Sequence, residues 1–429
     1  MDHPNKIRVA MLFVSVSLPV LLSISLVSCQ QWTQLVEPEK KNNAPNDLVK
    51  FQEQVVGFTS FNDFIGQVMV AGSTSEKMAL VDSFITWAQS TTGIPYLEDT
   101  TRAFFLYRSG STSTLSVAGD FNGWNLENHE FVRLTGTDLF YRMETFEPDA
   151  RLDYKLVVNN SQWILDPLNP HTCSGGFGPN SELSMPFYLQ PVEILSQAIP
   201  HGTMINQLFT DSSGVSRAVK VYLPPGYSTN TDSFPVAYFH DGSEWVTLGS
   251  AGNVLDYLIY NQLIQPIVAV FVDPTNRNQE YSYDQNFLNM FCDQLIPWVE
   301  AQYRITQSPA TRATIGVSLG GLTSFYFCIQ RPDLFGNCGA FSPAIWFGDI
   351  IQQYQNVPQI ETTIYMDAGT YEPSIYNATA SMRATLDSRG VPYTYLTWHE
   401  GHSWGAWRAH LDEALKLFFP AQSTGIIEE

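Results

Sequence analysis

The sequence predicts an α/β catalytic domain that follows a β-sandwich and a short helical segment. First, apolar strands alternate with helical stretches from about residue 192 onward, a pattern typical of a mostly parallel sheet covered on both faces. Second, the preceding region of about a hundred residues contains short strands of period two separated by turn residues, which is typical of a sandwich. Third, a Gly-x-Ser-x-Gly turn at residues 316–320 lies between a strand and a helix.

Length and composition limit the partners that the chain can have. A chain of 429 residues exceeds one ordinary domain, and 44% hydrophobic residues supply large cores. Only 15% of the residues are charged, and the net charge is −20. Because phosphate binding requires basic stripes, this balance argues against nucleic acid and against anionic membrane surfaces. It also disfavours a strongly anionic substrate unless basic residues gather in the cleft.

The first 28 residues have the features of a secretory signal. A basic start precedes an apolar run over residues 9–27, and Leu-Val-Ser-Cys at residues 26–29 resembles the bacterial lipobox, whose cysteine is lipidated after cleavage. A plain membrane anchor is the alternative, because the run is long enough to span a bilayer. We therefore expect residues 1–28 to be a lipoprotein signal peptide. Cys29 would tether the protein to the cell-envelope membrane, facing the periplasm or the exterior.

The rest of the chain divides into four predicted segments. Residues 29–47 are a polar tether, residues 48–97 have the apolar spacing of helices, residues 98–190 form the sandwich, and residues 191–429 form the catalytic domain. Four further cysteines have a spacing that fits no metal motif, and the sequence leaves open whether they are free thiols or disulfide partners: Cys173, Cys292, Cys328 and Cys338.

Ser318 is the predicted nucleophile. A strand-like run over residues 311–315 precedes it and an apolar helix over residues 322–329 follows, so the serine occupies a sharp corner that exposes its hydroxyl above the sheet. Glycines flank the serine because side chains there would collide with the neighbouring strand and helix. A glycine-rich turn that happens to contain a serine is the alternative.

A serine nucleophile needs a base, which should follow it in the chain. The histidines after Ser318 are His399, His402 and His410. We predict His402, because it lies in a glycine-containing loop between a strand and a helix, where its imidazole can take the serine proton. His399 lies nearer the strand end and is the second candidate, whereas His410 is predicted to lie inside the last helix.

Two carboxylates qualify as the acid that orients the imidazole. Asp367 is at the tip of a predicted strand over residues 362–366, and Glu372 lies further into the following loop. Either could stabilise the imidazolium cation. Asp367 could instead cap the turn that follows its strand.

Two backbone amides should bind the oxyanion of the reaction. The amide of Leu319, directly after the nucleophile, is one, and the loop at residues 241–245 should supply the other. Ester hydrolysis by such a set needs no metal. We expect no cofactor and no metal, because the sequence contains no metal or nucleotide motif.

Five segments in order resemble the enterochelin-esterase branch of the esterase-D-like α/β hydrolases. They lie between about residues 100 and 407, and feruloyl esterases and mycolyltransferases are relatives of this family. The segments are Gly-Asp-Phe-Asn-Gly-Trp at 119–124, His-Asp-Gly at 240–242, Gly-Val-Ser-Leu-Gly-Gly at 316–321, Asp-Ala-Gly-Thr-Tyr-Glu at 367–372 and Gly-His-Ser-Trp at 401–404.

The resemblance implies an α/β-hydrolase fold after an immunoglobulin-like early-set sandwich, and a serine carboxylic-ester hydrolase that acts through an acyl-enzyme. In this family the acid ends the Gly-Thr-x-Glu/Asp stretch, which favours Glu372 over Asp367. The second oxyanion amide carries over to Ser243.

The resemblance also suggests residues that contact the substrate. Residues 276–281 resemble the Arg…Glu-Tyr segment of the family. We therefore assign Arg277 to substrate binding, together with Asp241 and Trp245 of the oxyanion loop.

Three functions are compatible with these features. A small-molecule siderophore ester requires arginines that converge on the cleft, for which Arg277 is the candidate. A feruloyl or acetyl esterase acting on carbohydrate suits neutral polymers. Trp124 and Trp163 of the sandwich would then stack on sugar rings, unless they only pack the sandwich. A non-catalytic surface-binding protein that keeps the fold is the third.

Overall fold

The computed structural model describes residues 57–127, 129–229 and 231–421. The predicted signal peptide, Cys29, the tether and the start of the predicted helical segment lie outside the described residues. Within the described part of the chain, no helix is both long enough and apolar enough to cross a membrane. The four cysteines after the tether are buried free thiols rather than disulfide partners.

Two helices cover the outer face of one sheet of the sandwich. They are α1 (Phe61–Val70) and α2 (Thr74–Thr91). Ser60 and Ser73 begin them as N-caps, since each side chain accepts a hydrogen bond from a backbone amide of the first turn. Their apolar faces share a core with Phe104 of the sheet beneath, so the helical segment packs as part of the sandwich.

Two antiparallel sheets form the sandwich region. Their strands are β1 (Tyr96–Leu97), β2 (Arg102–Arg108), β3 (Leu115–Gly119), β4 (Val132–Arg133), β5 (Leu139–Thr145), β6 (Arg151–Val158), β7 (Gln162–Ile164), β8 (Thr172–Gly175) and β9 (Gly178–Ser184). One sheet has the order β1-β2-β5-β4, and the other has the order β3-β6-β9-β8 with β7 paired to β6. Alternate residues of β2 face opposite sides, so Phe104 packs on the helices while Phe105 fills the core between the sheets.

The catalytic region is built on a sheet of eight strands. They are β10 (Thr203–Thr210), β11 (Ser216–Leu223), β12 (Val236–His240), β13 (Val268–Val272), β14 (Arg312–Val317), β15 (Asn337–Phe341), β16 (Thr363–Gly369) and β17 (Tyr393–Trp398). Their order is β10-β11-β13-β12-β14-β15-β16-β17. β11 runs antiparallel to both of its neighbours, and the other neighbouring pairs are parallel. The predicted α/β fold class is confirmed.

Helices cover both faces of this sheet, and each face has its own hydrophobic core. The helices are α3 (Gly242–Thr247), α4 (Ala251–Tyr260), α5 (Arg277–Glu280), α6 (Gln285–Met290), α7 (Ile296–Glu300), α8 (Leu319–Gln330), α9 (Ile350–Asn356), α10 (Pro373–Ser388), α11 (Trp404–Ala409) and α12 (Leu411–Phe418). The sequence predicted His410 inside the last helix, but it lies between α11 and α12, so that prediction is wrong.

Parallel pairing determines where the site lies. The strands β14, β15, β16 and β17 are neighbours and end at the same edge of the sheet. The segments directly after β14, β16 and β17 contain the predicted nucleophile, acid and histidine, so three distant parts of the sequence meet there.

Candidate active site

Ser318 occupies the strained turn between β14 and α8. Its backbone angles are φ 55° and ψ −118°, a region that non-glycine residues rarely adopt. A Cβ on Gly316 would overlap the backbone of Gly320, so the strand and the helix approach closely only because this position is glycine. The geometry is that of a nucleophile elbow, and it agrees with the predicted strand-turn-helix context.

His402 lies in the loop between β17 and α11, and it lines the same cleft as Ser318. Its Nδ1 lies 3.4 Å from Oε1 of Glu372, and its ring meets that of Trp407 edge-on with centroids 4.9 Å apart. Ser403 caps α11 directly after it. The cleft has a volume of about 730 Å³, which is large enough for a ligand of drug size.

The two candidate acids occupy different environments. Glu372 is 5% exposed, and its Oε1 accepts a hydrogen bond from Ser342 Oγ at 2.9 Å. Asp367 accepts hydrogen bonds from the amide of Ser342 at 2.9 Å and from the hydroxyl of Tyr365 at 3.0 Å. Burial raises the pKa of Asp367 to about 7. The structure thus places Glu372, and not Asp367, beside His402.

The other two candidate histidines are bonded elsewhere. His399 Nδ1 lies 2.6 Å from Asp149 Oδ1 at the sandwich. His410 Nε2 lies 3.0 Å from Glu400 Oε1, and its ring stacks on Trp398 with centroids 3.7 Å apart. Each imidazole is held by a carboxylate outside the cleft, which leaves His402 as the histidine of the site.

One of the two predicted oxyanion amides is available to a ligand, and the other is already bonded within the protein. Leu319 is the first residue of α8, so its amide has no acceptor within the helix and is available to a ligand. The amide of Ser243 donates to Asp273 Oδ1 at 2.5 Å, and the hydroxyl of Ser243 bonds both Asp273 and Lys220. The assignment of Ser243 as a free oxyanion donor is therefore wrong for this conformation. Asp273 follows β13, the neighbour of the strand that leads to Ser243, which brings the two loops together.

Two of the predicted substrate contacts are buried. Both carboxylate oxygens of Asp241 accept bonds from Arg277, at 2.8 Å from Nε and 2.9 Å from Nη2. Burial raises the pKa of Asp241, whereas Arg277 opposes that rise. Trp245 is fully buried against Phe239 and Trp404 in the core. Of these three residues, Arg277 lines the cleft. Asp241 binds the guanidinium of Arg277 on the side away from the cleft. Trp245 is a core residue, because its indole fills the space under the loop.

The sandwich supplies one wall of the cleft. Trp124 and Trp163 stack on each other with centroids 6.4 Å apart, and both line the cleft. Phe177, in the turn between β8 and β9, is fully exposed beside them, and Lys155 adds a charge. The two tryptophans were candidates from the sequence. Phe177 and Lys155 were missed because nothing in a hairpin turn or a strand reveals which cleft it borders.

The sandwich also holds the histidine loop through Arg151, which is 1% exposed. Its backbone amide donates to the carbonyl of His399 at 3.0 Å, and its Nη1 donates to Ser403 Oγ at 3.0 Å. Its Nη2 pairs with Asp153 at 2.8 Å and with Glu182 at 2.5 Å. This cluster therefore fixes both ends of the loop that carries the histidine, and no sequence motif indicated it.

Across residues 57–127, 129–229 and 231–421, no group of three histidine, cysteine, aspartate or glutamate side chains is placed to hold an ion. The arrangement that is present, a partly buried elbow serine in the same cleft as a histidine–glutamate pair, can perform acyl transfer.

Comparison with known proteins agrees with this geometry. Residues 210–418 match a family model described as "Putative esterase". The protein YbbA of Bacillus subtilis is 30% identical over 148 residues, which cover 31% of this chain and 58% of that protein. An endo-1,4-beta-xylanase/feruloyl esterase of Xylanibacter ruminicola is 24% identical over 268 residues, covering 57% of this chain and 36% of that protein. The chain thus spans only part of the length of both relatives.

Two enterobactin esterases match over more of their length. The iron(III) enterobactin esterase of Escherichia coli K12 is 26% identical over 271 residues, 59% of this chain and 67% of that protein. A crystal structure of the enterobactin esterase from Shigella flexneri superimposes with a TM-score of 0.67 and 22% identity, over 77% of this chain and 97% of that one. At this identity the structural match establishes the fold, and it extends beyond the catalytic region.

Proposed function

We propose that the chain is an enterochelin-esterase-like α/β hydrolase, and that it is a serine carboxylic-ester hydrolase with Ser318, His402 and Glu372 as its triad. The observation that carries the proposal is the pairing of His402 with Glu372 in the cleft onto which the elbow serine opens. A buried carboxylate at this position holds the imidazole in the tautomer whose other nitrogen faces the serine.

The proposed reaction has two halves. Ser318 Oγ attacks the ester carbonyl while His402 takes its proton, and the resulting oxyanion is bound by the amide of Leu319. The intermediate collapses as His402 gives the proton to the departing alcohol, which leaves an acyl-serine. Water then attacks the acyl-serine and loses a proton to His402. This second intermediate collapses as His402 gives that proton to Ser318 Oγ, which releases the acid and restores the free serine.

The charge of the cleft favours a neutral substrate. Its charged lining residues, apart from the histidine, are two cations and two anions: Lys155, Arg277, Asp153 and Glu244. The charge of Arg277 is further balanced by Asp241 behind it. A highly anionic ferric siderophore would require an excess of cations here. The aromatic wall of the sandwich instead suits flat or ring-shaped neutral groups, as in the feruloyl or acetyl ester of a carbohydrate.

The decisive experiment is a substrate screen of the purified protein. Short p-nitrophenyl esters, feruloylated sugars and a ferric catecholate lactone would be compared, with Ser318→Ala as the matched control. We expect hydrolysis of neutral esters, and we expect the variant to lose several orders of magnitude in turnover while it stays folded. Hydrolysis that survives in Ser318→Ala would contradict the nucleophile. A folded wild type that binds esters without turnover would favour the non-catalytic alternative.

We further propose that Cys29 is lipidated and holds the enzyme at the cell-envelope membrane. The support is the lipobox-like Leu-Val-Ser-Cys behind an apolar run. Mass spectrometry of membrane-extracted protein should find a diacylated N-terminal cysteine. An N-terminus that retains residues 1–28 would instead indicate a plain membrane anchor.

A further inference from the structure

A short turn at residues 341–344, after β15, binds the backbone of the proposed nucleophile on both sides. The amide of Ser318 donates to the carbonyl of Phe341 at 2.9 Å, and the amide of Ala344 donates to the carbonyl of Ser318 at 2.9 Å. β15 lies between the strand of the nucleophile and the strand of the acid. The turn is therefore placed to set the separation between the two.

The same turn holds both carboxylates through Ser342. Its hydroxyl donates to Glu372 Oε1 at 2.9 Å, and its amide donates to Asp367 Oδ1 at 2.9 Å. Trp407 Nε1 donates to the oxygen of that hydroxyl at 3.1 Å. A hydroxyl has one proton, so accepting from the indole directs that proton to Glu372. Glu372 Oε1 is also the oxygen that lies 3.4 Å from His402.

We propose that Ser342 is a positioning residue for the triad acid, an inference that rests on the proposed function. Its hydroxyl fixes the carboxylate of Glu372 next to His402, and its amide binds Asp367 so that this carboxylate does not approach His402. Ser342 is 2% exposed and has φ 41°, in the left-handed region that favours glycine. Such a conformation is retained where the surrounding contacts determine it, as the bonds of Ser342 to Asp367, Glu372 and Trp407 do here.

The test compares Ser342→Ala with Ser342→Gly. Both variants lose the hydroxyl, but glycine relaxes the left-handed backbone whereas alanine does not. We expect kcat to fall about tenfold to a hundredfold in both, the range for losing one hydrogen bond to a charged group, with KM little changed. The melting temperature should be higher for Ser342→Gly than for Ser342→Ala. If kcat were reduced only in the less stable Ser342→Ala and were normal in Ser342→Gly, the proposal would be overturned.

The pH profile supplies a readout that a purely structural role would not move. Without the donated proton, Glu372 keeps more negative charge at His402 and favours the imidazolium. The acid limb of the kcat/KM profile should therefore move to higher pH in both variants. Trp407→Phe, which keeps a ring but removes the indole donor, should shift the acid limb by less than the Ser342 variants do. Ser181→Ala, which removes an equally buried hydroxyl from the sandwich, should leave the profile unchanged.

A measurement without substrate separates this inference from the proposed function. The imidazole proton between His402 and Glu372 should give a downfield proton resonance, assigned by its loss in His402→Gln. We expect it to shift or vanish in both Ser342 variants and to persist in Ser318→Ala. A wild type that is inactive on every ester would refute the proposed function, while the resonance would still report on Ser342. An unchanged resonance in both variants would overturn the positioning role.

Discussion

The cleft has two walls that are built in different ways. The catalytic wall takes its groups from neighbouring strand ends of one parallel sheet, so backbone hydrogen bonding sets their spacing. The sandwich wall takes Trp124, Trp163 and Phe177 from loops and strand positions of antiparallel sheets, and its two tryptophans contact each other. The catalytic wall holds the candidate reacting groups at fixed distances, whereas the sandwich wall supplies apolar surface.

At the junction between the walls, the sandwich contacts the loop that carries His402. Arg151 of β6 holds the carbonyl of His399 and the side chain of Ser403, on either side of the histidine. A Cβ on Gly405 would overlap the guanidinium of Arg151, and a Cβ on Gly401 would overlap Asp120. Gly401 in the histidine loop and Gly405 at the start of α11 therefore let the sandwich approach this loop, and loss of the sandwich should disturb catalysis as well as binding.

The largest effect should come from the acid of the catalytic wall. Glu372→Gln should reduce kcat by about three to four orders of magnitude, because the amide cannot stabilise the imidazolium or fix its tautomer. Asp367→Asn should reduce kcat by less than about tenfold. Steady-state kinetics on one ester would compare the two. If Asp367→Asn were the severe change and Glu372→Gln the mild one, the assignment of the acid would be reversed.

The next largest effect should come from the junction. Arg151→Met leaves Asp153 and Glu182 without their buried cation, so the free energy of unfolding should fall by about 3–5 kcal/mol. Urea denaturation would measure it. Arg142→Met breaks a partly exposed pair with Glu144 and should cost at most about 1 kcal/mol.

Kinetics on the same variant would test the coupling between the walls. In conditions where Arg151→Met is fully folded, kcat should still be lower than in the wild type, since the histidine loop has lost its anchor. A folded Arg151→Met enzyme with normal kcat would show that the sandwich does not set the position of His402.

The third effect concerns the pH dependence of stability. The folded-state pKa of Asp367 is raised to about 7 by burial, so the folded protein binds more protons than the unfolded chain between about pH 4 and pH 7. Stability from this group is therefore present at low pH and is lost as pH rises to about 7. Asp367→Asn should not lose stability in this way, because its amide does not titrate. Between pH 4 and pH 8, the free energy of unfolding of Asp367→Asn should increase relative to that of the wild type by up to about 4 kcal/mol, as measured by urea unfolding. A difference that does not change with pH would contradict the neutral, buried carboxyl.

The smallest effect should come from the sandwich wall. Trp163→Ala and Phe177→Ala should each raise KM several-fold with kcat nearly unchanged, because these rings bind substrate and transition state alike. Tyr260→Ala, which removes an exposed ring from α4, serves as the control. A fall in kcat at constant KM would mean that the rings act on the reacting groups and that the two walls are less separate than we infer.

The sequence rules that selected the candidate residues of the catalytic wall are local. The elbow needs glycines at fixed offsets from Ser318, and strand ends carry the acid and the histidine in a fixed chain order. The same rules did not decide between Asp367 and Glu372, since both lie within six residues after the predicted strand over residues 362–366. They misplaced Ser243 and Trp245, because neither the acceptor of an amide nor the burial of an indole can be read from neighbours in the chain.

The sequence by itself determined the fold class, the candidate nucleophile with its flanking glycines, and the small set of residues from which the candidate base and acid were drawn. Only the tertiary structure decided which carboxylate meets His402, since that depends on Ser342 and Trp407 from other elements. It also decided that Arg151, about 250 residues from Ser403 in the chain, anchors the histidine loop. Periodicity and motifs report contacts within a few residues, whereas these contacts join segments that are far apart in the sequence and meet only when the chain packs.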